Sequence, residues 1–114
     1  MAWNSASAAS ILAMVLSALF AVAGLINLAG LGPVKRDFAR WGYPTWLRLL
    51  CGVLELSGAA LLPGQQTRAW GLALAGVVMT GALFTLLRKR EPFRHLAPAL
   101  VFAALVVLAV ALRI

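Results

Sequence analysis

The sequence indicates an all-α membrane protein, a bundle of four transmembrane helices with short connections. Of its 114 residues, 63% are hydrophobic and only 11% are charged, whereas a soluble domain usually carries about 25% charged residues. A chain this apolar could not cover its surface with polar groups in water, so lipid is the solvent that fits. Helices are favoured over strands because the apolar runs show no alternation, and a helix satisfies its own backbone hydrogen bonds in lipid.

Four apolar runs define the predicted helices of a single transmembrane domain spanning residues 1–114. They cover about residues 8–31, 46–62, 69–87 and 96–112. A helix needs about 20 residues to cross the hydrocarbon core, so the second and fourth runs are short. Residues 11–20 followed by Ala21-Val22-Ala23 resemble a signal peptide. No Lys or Arg precedes them and the apolar run continues, so we expect a retained first helix.

Basic residues predict the orientation of the chain. The first and third connections, with the adjoining start of the second helix, carry Lys35, Arg36, Arg40, Arg48, Arg88, Lys89, Arg90 and Arg94. The opposite side carries only Arg68 and Arg113. The positive-inside rule then places those two connections in the cytoplasm and both termini outside, in the inner (plasma) membrane. Because this rule accounts for the net charge of +7, no nucleic-acid partner is expected; the partner is the lipid bilayer.

Glu55, near the middle of the second predicted helix, is the candidate catalytic residue. A carboxylate at the membrane centre costs about 2.5–3.5 kcal/mol, so Glu55 should face the bundle interior and be either paired or protonated. There it could act as a proton donor or acceptor. The alternative is a buried polar link that locks helix packing. A tight Glu55–Arg48 or Glu55–Asn27 link with no cavity would favour that structural role.

Five further residues are candidates for ligand binding: Asn27, Tyr43, Arg48, Thr80 and Thr85. Arg48 lies seven residues before Glu55, close to two helical turns, and so on the same face. Its alternative role is that of a snorkelling residue at the membrane surface. The asparagine and the two threonines could hydrogen-bond Glu55 or a ligand head group, although threonines in membrane helices often bond their own backbone.

Aromatic residues near the predicted helix ends fit an interfacial belt. They are Trp3, Trp41, Tyr43, Trp46 and Trp70. The alternative is a ligand cage built from Trp41, Tyr43 and Trp46. His95, the one histidine, has no second His or Cys at metal-ligand spacing, so no metal site is predicted.

Small residues form stripes on the first and fourth predicted helices. The stripes consist of Ala9, Ala13, Ser17 and Ala21, and of Ala99, Ala103 and Ala111. Such stripes let helix backbones approach closely in lipid. They are packing features first, and they could also support a homo-oligomer.

Short motifs follow one another along almost the whole chain: AGLINL (23–28), FARWGYP (38–44), GVLELSGA (52–59), TGA (80–82) and REP (90–92). Together they resemble the DoxX-like family of small four-helix membrane proteins. In that family the position of Asn27 is often lysine, which could pair with the glutamate of the second helix. The third helix also often ends with a histidine near residues 86–88, where this chain has none.

The resemblance implies a redox context, because relatives are linked to quinone-dependent sulfur oxidation, to membrane oxidoreductase assemblies and to redox-enzyme maturation. One hypothesis is that the bundle binds a quinone or isoprenoid, with no covalently bound cofactor, while Glu55 exchanges a proton in redox or isomerisation chemistry. The alternative is a non-catalytic accessory or assembly subunit of a membrane oxidoreductase complex. A third hypothesis is a transporter or channel; the helices offer few polar residues for a polar path, which a higher oligomer could still build at a shared axis.

Overall fold

A computed structural model describes residues 5–112, and within that range the chain forms five helices and no strand. They are α1 (Ser5–Ala29), α2 (Val34–Arg40), α3 (Thr45–Leu61), α4 (Arg68–Arg88) and α5 (Phe93–Ala111). Trp3 and Arg113, both assigned above to the membrane surface, lie outside the described residues. The four long helices correspond to the four predicted ones, and α2 is an addition. Helix α2 was not predicted, because it is short and carries three Lys or Arg residues.

Three of the described helices are long and apolar enough to cross a membrane. They are Ala8–Ala29 within α1, Arg68–Arg88 and Phe93–Ala111. With 17 residues, α3 rises about 26 Å, slightly less than the roughly 30 Å hydrocarbon core. The prediction of four transmembrane helices is therefore confirmed for three.

The outward faces of the four long helices are apolar. Met14, Val53, Val77 and Val107, one from each helix, are all exposed. Such surfaces are unfavourable in water and match the acyl chains of a lipid bilayer. Contact with lipid therefore explains a surface that would aggregate in solution.

The long helices form a ring in which α1 contacts α3, α3 contacts α4, α4 contacts α5, and α5 contacts α1. The apolar core lies in the half of the bundle, measured along the helix axes, that is remote from α2. Leu16, Phe20 and Leu62 are fully buried there, and the ring centroids of Phe20 and Phe102 are 4.5 Å apart. The half of the bundle nearer to α2 contains the buried polar residues Glu55 and Thr85.

The most extensive helix contact, between α1 and α3, includes a close antiparallel crossing at two glycines. A Cβ atom placed on Gly52 would lie 2.7 Å from Cγ of Leu28 and 3.0 Å from the carbonyl oxygen of Gly24. A side chain at Gly24 would meet Leu56 at 2.8 Å. Only glycine at both positions allows the two backbones to come this close.

The predicted stripe of small residues on α1 packs inside the bundle. Ala13 is fully buried, and the Ser17 hydroxyl donates a hydrogen bond of 2.6 Å to the Ala59 carbonyl of α3. On α5 the stripe is less regular, because Ala111 is exposed whereas Ala109 is fully buried. The stripes thus serve contacts within one chain, and the homo-oligomer stays a prediction.

The first and third connections contact each other at one end of the bundle, as expected if both lie on the same side of the membrane. Each closes with the same turn: the amides of Gly42 and Tyr43 bond back to the last turn of α2, and those of Arg90 and Glu91 to the last turn of α4. The turn requires a left-handed residue, which is Gly42 (φ +80°) in one case and Arg90 (φ +54°) in the other. After these turns, the Glu91 side chain reaches Trp41 of the first connection, and the Tyr43 side chain reaches Thr85 near the end of α4.

Candidate functional site

Three of the predicted site residues, Glu55, Asn27 and Arg48, form one hydrogen-bonded chain between α3 and α1. Glu55 is 5% exposed and Arg48 is 6% exposed. The Asn27 side-chain amide donates to Oε1 of Glu55, and Nη1 of Arg48 donates to the main-chain carbonyl of Asn27. Asn27 thus lies between the acid and the base, and the predicted direct alternative, a Glu55–Arg48 link, is not formed among the described residues.

The glycine crossing positions the three hydrogen-bonded residues. Asn27 follows Gly24 by three residues and Glu55 follows Gly52 by three, so each polar side chain shares a helix face with the adjacent glycine. The close approach of the backbones at the glycines brings the short Asn27 side chain within reach of Glu55. The crossing is therefore the packing feature on which the polar site depends.

Arg48 is held by the end of α1. Near a helix C-terminus the last carbonyl groups lack helical partners; the Leu31 amide bonds to Ile26 at 3.1 Å, leaving the Asn27 carbonyl free. The Arg48 guanidinium donates a hydrogen bond to this carbonyl. Its positive charge is also stabilised by the negative end of the helix dipole. Arg48 is buried against the protein, and the snorkelling alternative stays a prediction.

The second oxygen of Glu55 is the group available for chemistry. Oε1 accepts the Asn27 amide, and among the described residues no hydrogen bond to Oε2 is formed. Because no fully buried polar atom of the described residues lacks a partner, Oε2 keeps some accessible surface. When Glu55 is neutral, its proton therefore belongs on Oε2, because Oε1 already accepts an N–H group. That geometry leaves one carboxyl oxygen able to give or take a proton.

Tyr43 and Thr85 form a separate pair. Their hydroxyl oxygens are 2.8 Å apart, and Thr85 is buried. This bond joins the end of the first connection to α4. Thr80 does not join either group, because it is exposed and donates at 2.7 Å to the Gly76 carbonyl of its own helix.

A cleft of about 260 Å³ opens between α2 and the start of α3. Its lining residues are Lys35, Phe38, Ala39, Tyr43, Thr45 and Arg48. Two predicted ligand residues, Tyr43 and Arg48, are thus at the cleft, whereas Glu55 is not part of its lining. The predicted cage of Trp41, Tyr43 and Trp46 is not formed: Phe38 takes the third place, 5.3 Å from Trp41 and 6.1 Å from Tyr43 between ring centroids, and Trp46 is 63% exposed.

Glu91, between α4 and α5, is the centre of a second polar cluster. Its Oε1 accepts hydrogen bonds from Nε1 of Trp41 at 2.7 Å and from Arg40 at 2.8 Å. Its Oε2 lies 3.0 Å from Nδ1 of His95. The Trp41 bond is the main reason that the pKa of Glu91 is lowered, followed by the His95 bond, while burial partly opposes them and the Arg40 charge adds to the lowering.

A model of the DoxX-like family matches residues 11–109. This chain belongs to the DoxX-like family. No curated protein and no solved structure is significantly similar to it. The matched segment contains the hydrogen-bonded residues Asn27, Glu55 and Arg48, the cleft, and the Glu91 cluster.

Sequence reasoning on this DoxX-like protein found Glu55 and its partner Asn27 but missed Glu91, Phe38 and Lys35 as site residues. A signal for Glu91 was present. The chain has only three Asp or Glu residues against ten Lys or Arg, so an acid within a basic connection is expected to be paired. Phe38 and Lys35 gave no comparable signal, because their roles depend on α2.

Acid should weaken the contact between the first and third connections of the DoxX-like protein through Glu91. The lowered pKa means that the ionised carboxyl stabilises the fold above the ordinary glutamate value of about 4.3, and that this stabilisation is lost as the pH falls through the folded value. We expect the thermal midpoint of the wild type in detergent to fall more steeply below about pH 4.3 than that of Glu91→Gln.

The matched control is Asp37→Asn, which removes a carboxylate that contacts Arg40 alone at 2.8 Å. Because exposed ion pairs contribute about 0–1 kcal/mol, this variant should keep the acid transition of the wild type. Equal pH dependence in the wild type and Glu91→Gln would contradict a role for Glu91 in joining the connections.

Proposed function

We propose that this DoxX-like protein crosses the inner (plasma) membrane four times, with α3 as the fourth membrane helix and both termini outside. The ring packing supports this, since α3 lies between α1 and α4. Its outward residue Val53 is exposed and apolar, while Arg48 and Glu55 are turned inward and hydrogen-bonded. An even number of crossings puts both termini on one side, and the basic first and third connections then lie in the cytoplasm.

Within this bundle, the protein binds a lipophilic small molecule of the quinone or isoprenoid type, and Glu55 serves as proton donor or acceptor in redox or isomerisation chemistry. The observation that carries the proposal is the unpartnered Oε2 of a buried glutamate whose other oxygen is fixed by Asn27. Arg48 holds Asn27 through its carbonyl, so both act as positioning residues. Tyr43 and Thr85 are candidates for contacting the polar head of the ligand, and Thr80 could meet it only from the lipid side.

Glu55→Gln tests this proposal in nanodiscs titrated with decylubiquinone or geranylgeraniol. Glutamine keeps the shape and still accepts the Asn27 amide, but it carries no exchangeable acid. The amide nitrogen that replaces Oε2 can donate but cannot accept, so if Oε2 accepts a hydrogen bond from the ligand hydroxyl, the affinity for geranylgeraniol should fall about tenfold. Thr80→Val, which changes an exposed self-bonded hydroxyl, is the matched control and should bind as the wild type does. Unchanged affinity in a folded Glu55→Gln variant would remove Glu55 from the mechanism.

A second candidate function is that of an accessory or assembly subunit of a membrane oxidoreductase complex. The satisfied Asn27–Glu55 bond favours it, because this is the link expected of a residue that locks helix packing, and the cleft lies beside Arg48 rather than Glu55. Co-purification from native membranes separates the two functions: a stable redox-protein partner supports the subunit, and a bound small molecule supports the ligand-binding protein.

A further inference from the structure

The cleft between α2 and α3 carries two positive charges that no acidic side chain neutralises. Lys35 and Arg48 both line it, and its lining contains no Asp or Glu. Among the described ion pairs, Asp37 and Glu91 are both bound to Arg40. The third acid of the chain, Glu55, is bound by Asn27. An anion is therefore the chemical complement of this cleft.

The walls of the cleft suit a phosphate ester better than a small free anion. Phe38 and Ala39 form an apolar side, and the Thr45 hydroxyl adds a donor beside the two cations. Leu49, one helical turn beyond Thr45 on α3, is exposed and continues the apolar surface along α3. The cleft thus joins a polar end to an apolar track, as an amphipathic lipid does.

The cleft lies at the end of the bundle where the basic connections meet. Trp46, which follows the lining residue Thr45 in the sequence, has an exposed indole. Indole rings and basic side chains both concentrate at the membrane–water interface. Arg48 is buried, and its Nη1 alone is committed to Asn27, so its other N–H groups are available to a phosphate.

We propose that this cleft binds the phosphate of an anionic phospholipid, with Lys35 and Arg48 contacting the phosphate oxygens and the acyl chains following α3. Glu55 does not line this cleft, so the site does not include the proposed proton-exchanging group, although Tyr43 and Arg48 take part in both. A quinone head group carries no net charge and would not need two cations.

The experiment is native mass spectrometry of the full chain released from mixed micelles containing equal amounts of phosphatidylglycerol and phosphatidylcholine. The wild type should retain phosphatidylglycerol in preference. Lys35→Gln should lower that preference about fivefold, as expected for one basic residue acting at a membrane surface. Lys35→Arg should restore it. Arg36→Gln is the matched control: it removes the same charge from the adjacent exposed position, which does not line the cleft.

Three results would overturn the proposal. Equal retention of the two lipids would show that charge does not matter, and equal loss in Lys35→Gln and Arg36→Gln would show diffuse attraction instead of a site. Displacement of phosphatidylglycerol by millimolar inorganic phosphate would show a site for free anions. Glu55→Gln should leave lipid retention unchanged and Lys35→Gln should leave decylubiquinone binding unchanged, so failure here is distinguishable from failure of the proposed function.

Discussion

Gly52→Ala is expected to destabilise the protein by about 1–3 kcal/mol, the usual cost of an added methyl group in a packed interior. The new Cβ would lie 3.0 Å from the Gly24 carbonyl oxygen, which is backbone, as well as 2.7 Å from Cγ of Leu28. A side chain could rotate away, but a backbone oxygen cannot, so α1 must move from α3. The measurement is the unfolding free energy in mixed micelles.

Gly81→Ala is the matched control for Gly52→Ala. Gly81 also lies inside a long helix, but a Cβ built there meets nothing within 4 Å. Alanine has a higher helix propensity than glycine, so this variant should be as stable as the wild type or more so. If the two variants lost equal stability, the cost would come from glycine's backbone and not from the crossing, and the close approach of α1 and α3 would be unimportant.

The sequence was sufficient to predict the four long helices because their boundaries depend on local composition. The apolar run of residues 69–87 and the helix Arg68–Arg88, for example, agree within one residue at each end. The start of α5 was predicted three residues late, at Leu96 instead of Phe93. Pro92 is the N-cap residue that immediately precedes the helix, and the polar residues Arg94 and His95 lower the hydropathy of its first turn.

The sequence predicted a site residue only where burying that residue alone would cost enough free energy to require a partner. Glu55 in an apolar helix requires one wherever it folds, and Asn27 was among the few polar residues available. The Glu91 cluster and the Lys35 cleft depend instead on pairings across long stretches of sequence, such as Arg40 with Glu91 over 51 residues. No local pattern specifies such a pairing, because it arises from the packing of the helices that carry the two connections.

Asn27→Leu should cost about 1–3 kcal/mol of stability, the penalty for leaving a buried polar group without its partner. Among the described residues, the Asn27 amide is the one donor to Glu55, and lipid cannot replace it. Glu55→Leu should carry a similar penalty, because it strands the Asn27 amide. The main-chain carbonyl that accepts Arg48 survives in both variants, so Arg48 keeps its partner and the measured loss belongs to the Asn27–Glu55 bond.

The double variant Asn27→Leu/Glu55→Leu should be more stable than either single one, because exchanging both members of a buried polar pair for apolar side chains can be almost neutral. Unfolding free energies of the four proteins give the coupling energy of the pair. A double variant no more stable than the single ones would show that the two side chains do not act together. The double variant also separates the two proposed functions: if it folds stably but no longer binds decylubiquinone, Glu55 serves the ligand, and if it still supports its membrane complex, the pair serves only the packing of α1 on α3.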